Sequence, residues 1–449
     1  MNSVGLLGAS DDQPALIDAD TDQIVTYAEL RDLVLHRKEW AEQYRGKLVF
    51  LGIQPTINCI VDLLALFNSG AISALINPET PDDVVLNWAE AYYPDVIIGL
   101  GVRDWRQDAR SAQQLPSELP DTILLPTSGS TGNPKFVRLS AANVIANAAQ
   151  ITSALSIDRS HRALGHLPLF YSYGLSVLTS HLFAGASVAL TNTSAIQPGF
   201  WRAMERYSVT SLPGVPYHYE MYRRMGLLNR DLPALRDVTQ AGGRLNNDRV
   251  REFHQELSAR GVRMWVMYGQ TEATARIAVM PYDELGSHVG SVGYAIPDGR
   301  VEIIDPDEDG IGEVQFSGPN VMLGYAESKD DLHAGDVMNG VLLTGDLGHL
   351  DKGGRLWIVG RTKRIAKVFG IRVNLDDVER TLAALGRPLA ATAGEDCVNV
   401  FVESPEEVKG FARRCERALG FSPGSIRVAF INNLPLTAAG KVNYQELLS

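Results

Sequence analysis

The stretch Leu125-Pro126-Thr127-Ser128-Gly129-Ser130-Thr131-Gly132-Asn133-Pro134-Lys135 gathers hydroxyls, two glycines and a lysine into a few positions. Glycines let a backbone approach an anion and take positive φ. Backbone N–H groups and hydroxyls then donate hydrogen bonds, and Lys135 adds a point charge. That is the chemistry of a loop that holds phosphate. A flexible Gly/Ser linker is the competing reading, and the Pro-Lys ending followed by apolar sequence counts against it. The common nucleotide P-loop is excluded, because it ends in GKS or GKT, whereas Pro134 precedes Lys135 here.

Other groups capable of chemistry follow at wide spacing. Tyr171 and Tyr173 flank Ser172 ahead of Gly174. Gly214-Val215-Pro216 and Ala241-Gly242-Gly243-Arg244 each look like a strand running into a turn, and paired glycines suit a flat ring lying on bare backbone. Tyr268-Gly269-Gln270-Thr271-Glu272-Ala273 offers an aromatic face, a hydroxyl and a carboxylate. Asp346 and Arg361 stand fifteen residues apart, and Lys441 lies in Leu434-Pro435-Leu436-Thr437-Ala438-Ala439-Gly440-Lys441. Taken singly, Glu272, Arg244, Lys363 and Lys441 read equally well as solvated charges, Asp346–Arg361 as a structural pair, and the tyrosines as core or rim aromatics.

In this order the motifs resemble the adenylate-forming superfamily, which includes acyl-CoA synthetases, peptide-synthetase adenylation domains and firefly luciferase. The resemblance runs from Thr127 to Lys441 and is nearest to the acyl-CoA synthetases. It implies ATP-dependent conversion of a small carboxylic acid to an acyl-adenylate with loss of pyrophosphate, then transfer to a thiol. The thiol would be CoA or the phosphopantetheine of a separate carrier protein. An amine acceptor, making an amide, and an enzyme that stops at the adenylate are the alternatives. The resemblance assigns Thr127, Ser128, Gly129, Ser130, Thr131, Gly132 and Lys135 to the phosphates. It assigns Gly242, Gly243, Arg244, Tyr268, Gly269 and Thr271 to the nucleotide, Asp346 and Arg361 to the ribose, and Glu272 to Mg²⁺. Lys441 becomes the catalytic cation, with Thr271, Glu272 and Lys135 beside it. Tyr171, Tyr173, Gly174, Val215, Gly243 and Gly269 would line the acyl pocket. Two departures stand out: Tyr171 replaces a common His, and Leu436 replaces a common basic residue. The pocket segment carries no carboxylate to pair with an α-amine, so an α-amino acid is not the expected substrate, and the Leu, Val, Tyr and Gly residues near the pocket suggest an uncharged acyl or aryl tail.

The elements that must position these groups read as α/β, with strands alternating with helices. Apolar Ile123-Leu124-Leu125 reads as a buried strand leading into the phosphate loop. Thr26 and Glu29 form a capping-box pattern, and Ser140 is a second N-cap. Ile60 to Leu75 reads as one helix. Gly312–Val314 and Gly318–Tyr325 resemble a β-hairpin region of the family that supports the site. The resemblance implies a large N-terminal domain, residues 1–362, of βαβ subdomains and a β-barrel-like part. It implies that a small mobile α+β domain, 363–449, follows, with Lys363 where the family places its hinge. The length of 449 residues agrees with more than one core. A net charge of −12 argues against nucleic acid as partner. The apolar run Leu167 to Leu190 holds no charge, but its Pro, Gly and Ser residues favour a buried helix and strand over a membrane span. Cys59, Cys397 and Cys415 show no metal-ligand spacing and suit a reducing cytoplasm.

Overall fold

Parallel strands covered by helices on both faces must be apolar throughout. Leu48–Gly52 and Ile72–Ile76 follow this rule and are buried at every residue. The computed structural model describes residues 6–8, 11–101, 121–126, 135–361, 364–368, 371–383, 389–394, 397–403, 408–419, 421, 423–436, 442–444 and 446–447. The chain divides into two units, Met1–Arg300 with Phe316–Leu342, and Val301–Gln315 with Leu343–Ser449.

The first unit holds two large sheets. The six-stranded sheet runs Gly324–Ala326, Phe136–Ser140, Asp121–Pro126, Ile72–Ile76, Leu48–Gly52, Val96–Ile98. Its last four strands are parallel, and Phe136–Ser140 pairs antiparallel with both of its neighbours. The helix Ile57–Ser69 crosses between two of the parallel strands, capped by Thr56, whose hydroxyl accepts from the Cys59 amide. The sequence reading carried that helix on to Leu75. It stops at Gly70, whose φ of +78° is the left-handed conformation that ends helices at little steric cost, and Ile72–Ile76 is a strand. Thr26 and Ser140 both cap helices with the reciprocal bonds expected of them.

The nine-stranded sheet runs Tyr294–Ala295, Ala278–Met280, Arg263–Tyr268, Asp237–Gln240, Ser211–Gly214, Arg162–Gly165, Ser187–Leu190, Pro14–Asp18, Gln23–Thr26. Its interior pairs are parallel and its outer pairs antiparallel. The uncharged run is the buried helix Ser172–Phe183 followed by the strand Ser187–Leu190. Among the described residues no helix is long and apolar enough to cross a membrane. An aromatic core of Phe200, Trp201, Tyr219, Tyr222 and Phe253 packs against this sheet.

The barrel-like part, most of whose residues are in the second unit, takes the form of a four-stranded ladder with two edges, ordered Arg300–Ile304, Gly312–Ser317, Val341–Leu350, Leu356–Arg361. The two segments read as one hairpin go to different sheets: Gly312–Ser317 joins this ladder, while Gly324–Ala326 edges the six-stranded sheet. Further on, the strands Leu389–Ala393, Val398–Val402 and Ile426–Phe430 carry the helices Leu375–Ala383 and Val408–Leu419. The helices bury Val378, Leu382, Phe411 and Cys415 against Val398 and Val400. Arg364, beside the expected hinge, is largely buried. It stacks on Tyr444 at 3.7 Å, pairs with Asp376, and donates to Glu379 at 2.8 Å.

Candidate active site

Thr127, Ser128, Gly129, Ser130, Thr131 and Gly132 lie outside the described residues, as do Lys363 and Lys441. Their anchor points are described. Pro126 and Phe136 are cross-strand partners, so the phosphate loop joins two antiparallel strands rather than a strand and a helix. The segment that holds Lys441 is likewise bracketed by a bridge between Leu436 and Val442.

Lys135 begins the site. Its Nζ sits 3.7 Å from the ring centroid of Tyr325 and 3.4 Å from Glu327 Oε1. The Tyr325 hydroxyl donates to Glu272 Oε1 at 2.8 Å. Burial and the Glu272 charge push the Tyr325 phenol above its ordinary pKa, so it keeps the proton it donates. One aromatic side chain therefore joins the lysine of the first motif to the carboxylate of the second. Cross-strand pairing of Tyr325 with Val137 places it there.

The turn carrying Glu272 is held from below. The strand Arg263–Tyr268 ends at Gly269, where a Cβ would collide with the Ala275 carbonyl, so the chain can fold back only with glycine. A 3₁₀ turn follows at Thr271–Ala273. The Met322 amide donates to the Glu272 carbonyl at 2.9 Å. Asn320, wholly buried, donates from Nδ2 to the carbonyls of Ala273 and Arg276 at 2.8 and 2.9 Å. Thr274 takes a φ of +62° and donates from Oγ1 to the Asn320 carbonyl at 2.7 Å. A β-branched residue at positive φ is strained by ~1–3 kcal/mol, and these bonds hold it.

Thr271 Oγ1 lies 3.2 Å from Ser172 Oγ, which ties the turn to the start of the helix Ser172–Phe183. Gly174 is in the first turn of that helix. Tyr171 and Tyr173 flank Ser172 with rings 6.4 Å apart, edge to face. Tyr173 is 3% exposed and its hydroxyl donates to the Thr239 carbonyl at 2.9 Å. The partly exposed Tyr171 packs its hydroxyl on Gly242, beside Val215. Gln240 Nε2 donates to the Gly243 carbonyl at 2.7 Å and holds that turn, while Arg244 is exposed. The structure thus brings together Lys135, Thr271 and Glu272, and groups Tyr171 with Tyr173, Val215 and Gly242. Tyr268 ends the strand that leads into the same turn. In the second unit, Asp346 and Arg361 are cross-strand partners, with Arg361 Nε donating to Asp346 Oδ1 at 3.1 Å.

The sequence model of the family described as AMP-binding enzyme matches residues 8–326. The chain belongs to this family. A relative, the oxalate–CoA ligase of Arabidopsis thaliana, is 30% identical over 369 residues, covering 76% of this chain and 70% of the relative. The indoleacetate–CoA ligase of Aromatoleum aromaticum is 31% identical over 359 residues, covering 74% and 68%. Among solved AMP-binding structures, the o-succinylbenzoate CoA synthetase of Bacillus subtilis with its acyl-adenylate intermediate shares the fold. Its TM-score is 0.79 at 23% identity, over 97% of this chain and 95% of that one. The same enzyme with ATP and magnesium gives a TM-score of 0.78.

A magnesium ion fits the residues present. Glu272 and Thr271 are oxygen donors, and Tyr325 fixes one Glu272 oxygen. No group of three His, Cys, Asp or Glu side chains forms a cage among the described residues. Magnesium commonly leans on one or two carboxylates plus phosphates and water, so one protein carboxylate is enough. Sequence reasoning gave Tyr325 a structural part only, and it singled out neither Asn320 nor Arg276. Nothing in their spacing signalled them, because each acts across contacts of 44 residues or more in sequence, or through a stacked ring.

Proposed function

We propose that this chain activates a carboxylic acid with ATP, forming an acyl-adenylate and pyrophosphate, and passes the acyl group to the thiol of CoA. The observation that carries this reading is the Lys135–Tyr325–Glu272 arrangement, which brings the lysine that would bind phosphate beside the carboxylate that would bind the metal. CoA is favoured as acceptor by the CoA ligases among the relatives, and the phosphopantetheine of a separate carrier protein is the second candidate.

Carboxylate and triphosphate repel each other, so charge compensation is the main catalytic task. Lys441 would hold the incoming carboxylate and the bridging oxygen. Thr127, Ser128, Ser130, Thr131 and Lys135 would grip the leaving pyrophosphate. Glu272, with Thr271, would hold magnesium, which supplies Lewis-acid neutralisation of phosphate charge. Tyr268 would stack on adenine, Gly242 to Arg244 would border it, and Asp346 with Arg361 would bind the ribose. Fixing both anions for in-line attack can lower the barrier by roughly 7–11 kcal/mol. Residues 363–449 would then turn about Lys363 against 1–362, withdrawing Lys441 and admitting the thiol. A reducing cytoplasm suits the three free cysteines. Screening carboxylic acids for pyrophosphate release, then repeating with CoA and with carrier proteins, tests the proposal. Formation of ADP instead of AMP would overturn it.

A further inference from the structure

Arg276 is 2% exposed. Its Nε has no hydrogen-bond partner, and no carboxylate pairs with its guanidinium among the described residues. Among the described residues its stacking partner is the face of Tyr173, with the guanidinium carbon 4.9 Å from the ring centroid. A ring face offsets only part of the loss of solvation, and buried cations are otherwise paired or hydrogen-bonded. The side chain has not been left there by a loose backbone. The Arg276 carbonyl accepts from Asn320 and from Asn147, at 2.9 and 3.5 Å, so the residue is fixed in place. Arg138, buried in the same unit, shows the contrast: its guanidinium donates to the carbonyls of Asp331, at 2.7 Å, and Gly335.

We propose that the acid activated here carries a second anionic group, and that Arg276 receives it. This rests on the activation reading above and refines its substrate class. The guanidinium presents paired N–H donors that match an oxyanion such as a carboxylate. Its neighbours are Tyr173 and Tyr171, the rings of the acyl side, whereas the phosphate side has its own cation in Lys135, stacked on Tyr325. Tyr171 is partly exposed, so the neighbourhood reaches solvent. The uncharged tail expected from the sequence gives way to a charged one.

The test measures pyrophosphate release with malonate, succinate, glutarate, adipate and the benzenedicarboxylates, each against the monocarboxylate of matching length or ring. Wild type should prefer at least one diacid by about 100-fold or more in kcat/KM, and Arg276→Gln should cut that preference below about tenfold. The KM for ATP should stay within about threefold. If Arg276→Gln fails to fold, Arg276→Lys takes its place, and the preference should weaken but persist. Monocarboxylates used as well as every diacid would overturn the inference and leave the activation reading standing. So would an unchanged acid preference with a raised KM for ATP, which would give Arg276 to the nucleotide. No pyrophosphate from any acid in either set, or from a wider panel of long-chain and aromatic acids, would remove both readings.

Discussion

Tyr325 uses both its parts. The hydroxyl fixes Glu272, and the ring face carries Lys135. Hydrogen bonds to charged groups contribute about 1.5–3 kcal/mol, so Tyr325→Phe should lower kcat/KM for pyrophosphate release about 10–100-fold. Because the ring remains, the melting temperature should barely move. Tyr325→Leu removes the face as well and should fall further. Equal activity of Phe and wild type would mean that Glu272 needs no orienting partner. Lys441→Ala tests the other end of the chain. Adenylate formation should drop by about two orders of magnitude or more, and a loss within about threefold would remove the role assigned to that lysine. The two residues differ in legibility. Lys441 sits in a contiguous motif, whereas Tyr325 acquires its part only through a strand pairing that joins it to Val137.

At the scale of elements, glycines separate local from tertiary demands. A Cβ at Gly70 meets nothing within 4 Å, so Gly70→Ala carries only the cost of positive φ, about 1–2 kcal/mol, without loss of activity. Gly269→Ala would drive the chain against the Ala275 carbonyl and displace the Thr271–Ala273 turn, so activity and stability should fall together. Thermal melts beside pyrophosphate-release rates distinguish the two. The sequence showed most strands and helices directly, since apolar runs and caps at Thr26 and Ser140 are local signals. It overran at Gly70, where one residue's backbone outweighs an unbroken apolar pattern. It merged Gly312–Ser317 with Gly324–Ala326, because sheet membership depends on partners far away in the chain. Arg276 escaped notice for the same reason, as a lone arginine gives no sign that it will be enclosed.

For the whole molecule, the first unit holds histidines that resist protonation. Burial pushes His181 and His218 down to about 4, and His166 well below its ordinary range. His161 moves the other way, raised by Asp237, whose Oδ2 lies 3.5 Å from its Nε2. Below about pH 6.5 the unfolded chain takes up protons that the folded His166, His181 and His218 refuse, so stability falls from there towards pH 4. His161 contributes stability in the same acid range and loses it as pH rises through its raised pKa, but it stands one against four, since burial lowers His254 as well. The melting temperature should therefore drop by about 5 °C or more between pH 7.5 and 5, and His181→Leu should shrink the drop. An equal melting temperature at both values would contradict this.

The edge position of Gly324–Ala326 bears on how the chain is made. Its partner strand contains Phe136, Val137 and Leu139, all wholly buried once the sheet is complete. During synthesis at about 5–20 residues per second, that apolar strand emerges roughly ten to forty seconds before its neighbour. Until then it offers unpaired backbone to any other nascent chain. Ribosome-bound fragments that stop short of Gly324 should need chaperone cover that fragments reaching past Ala326 do not.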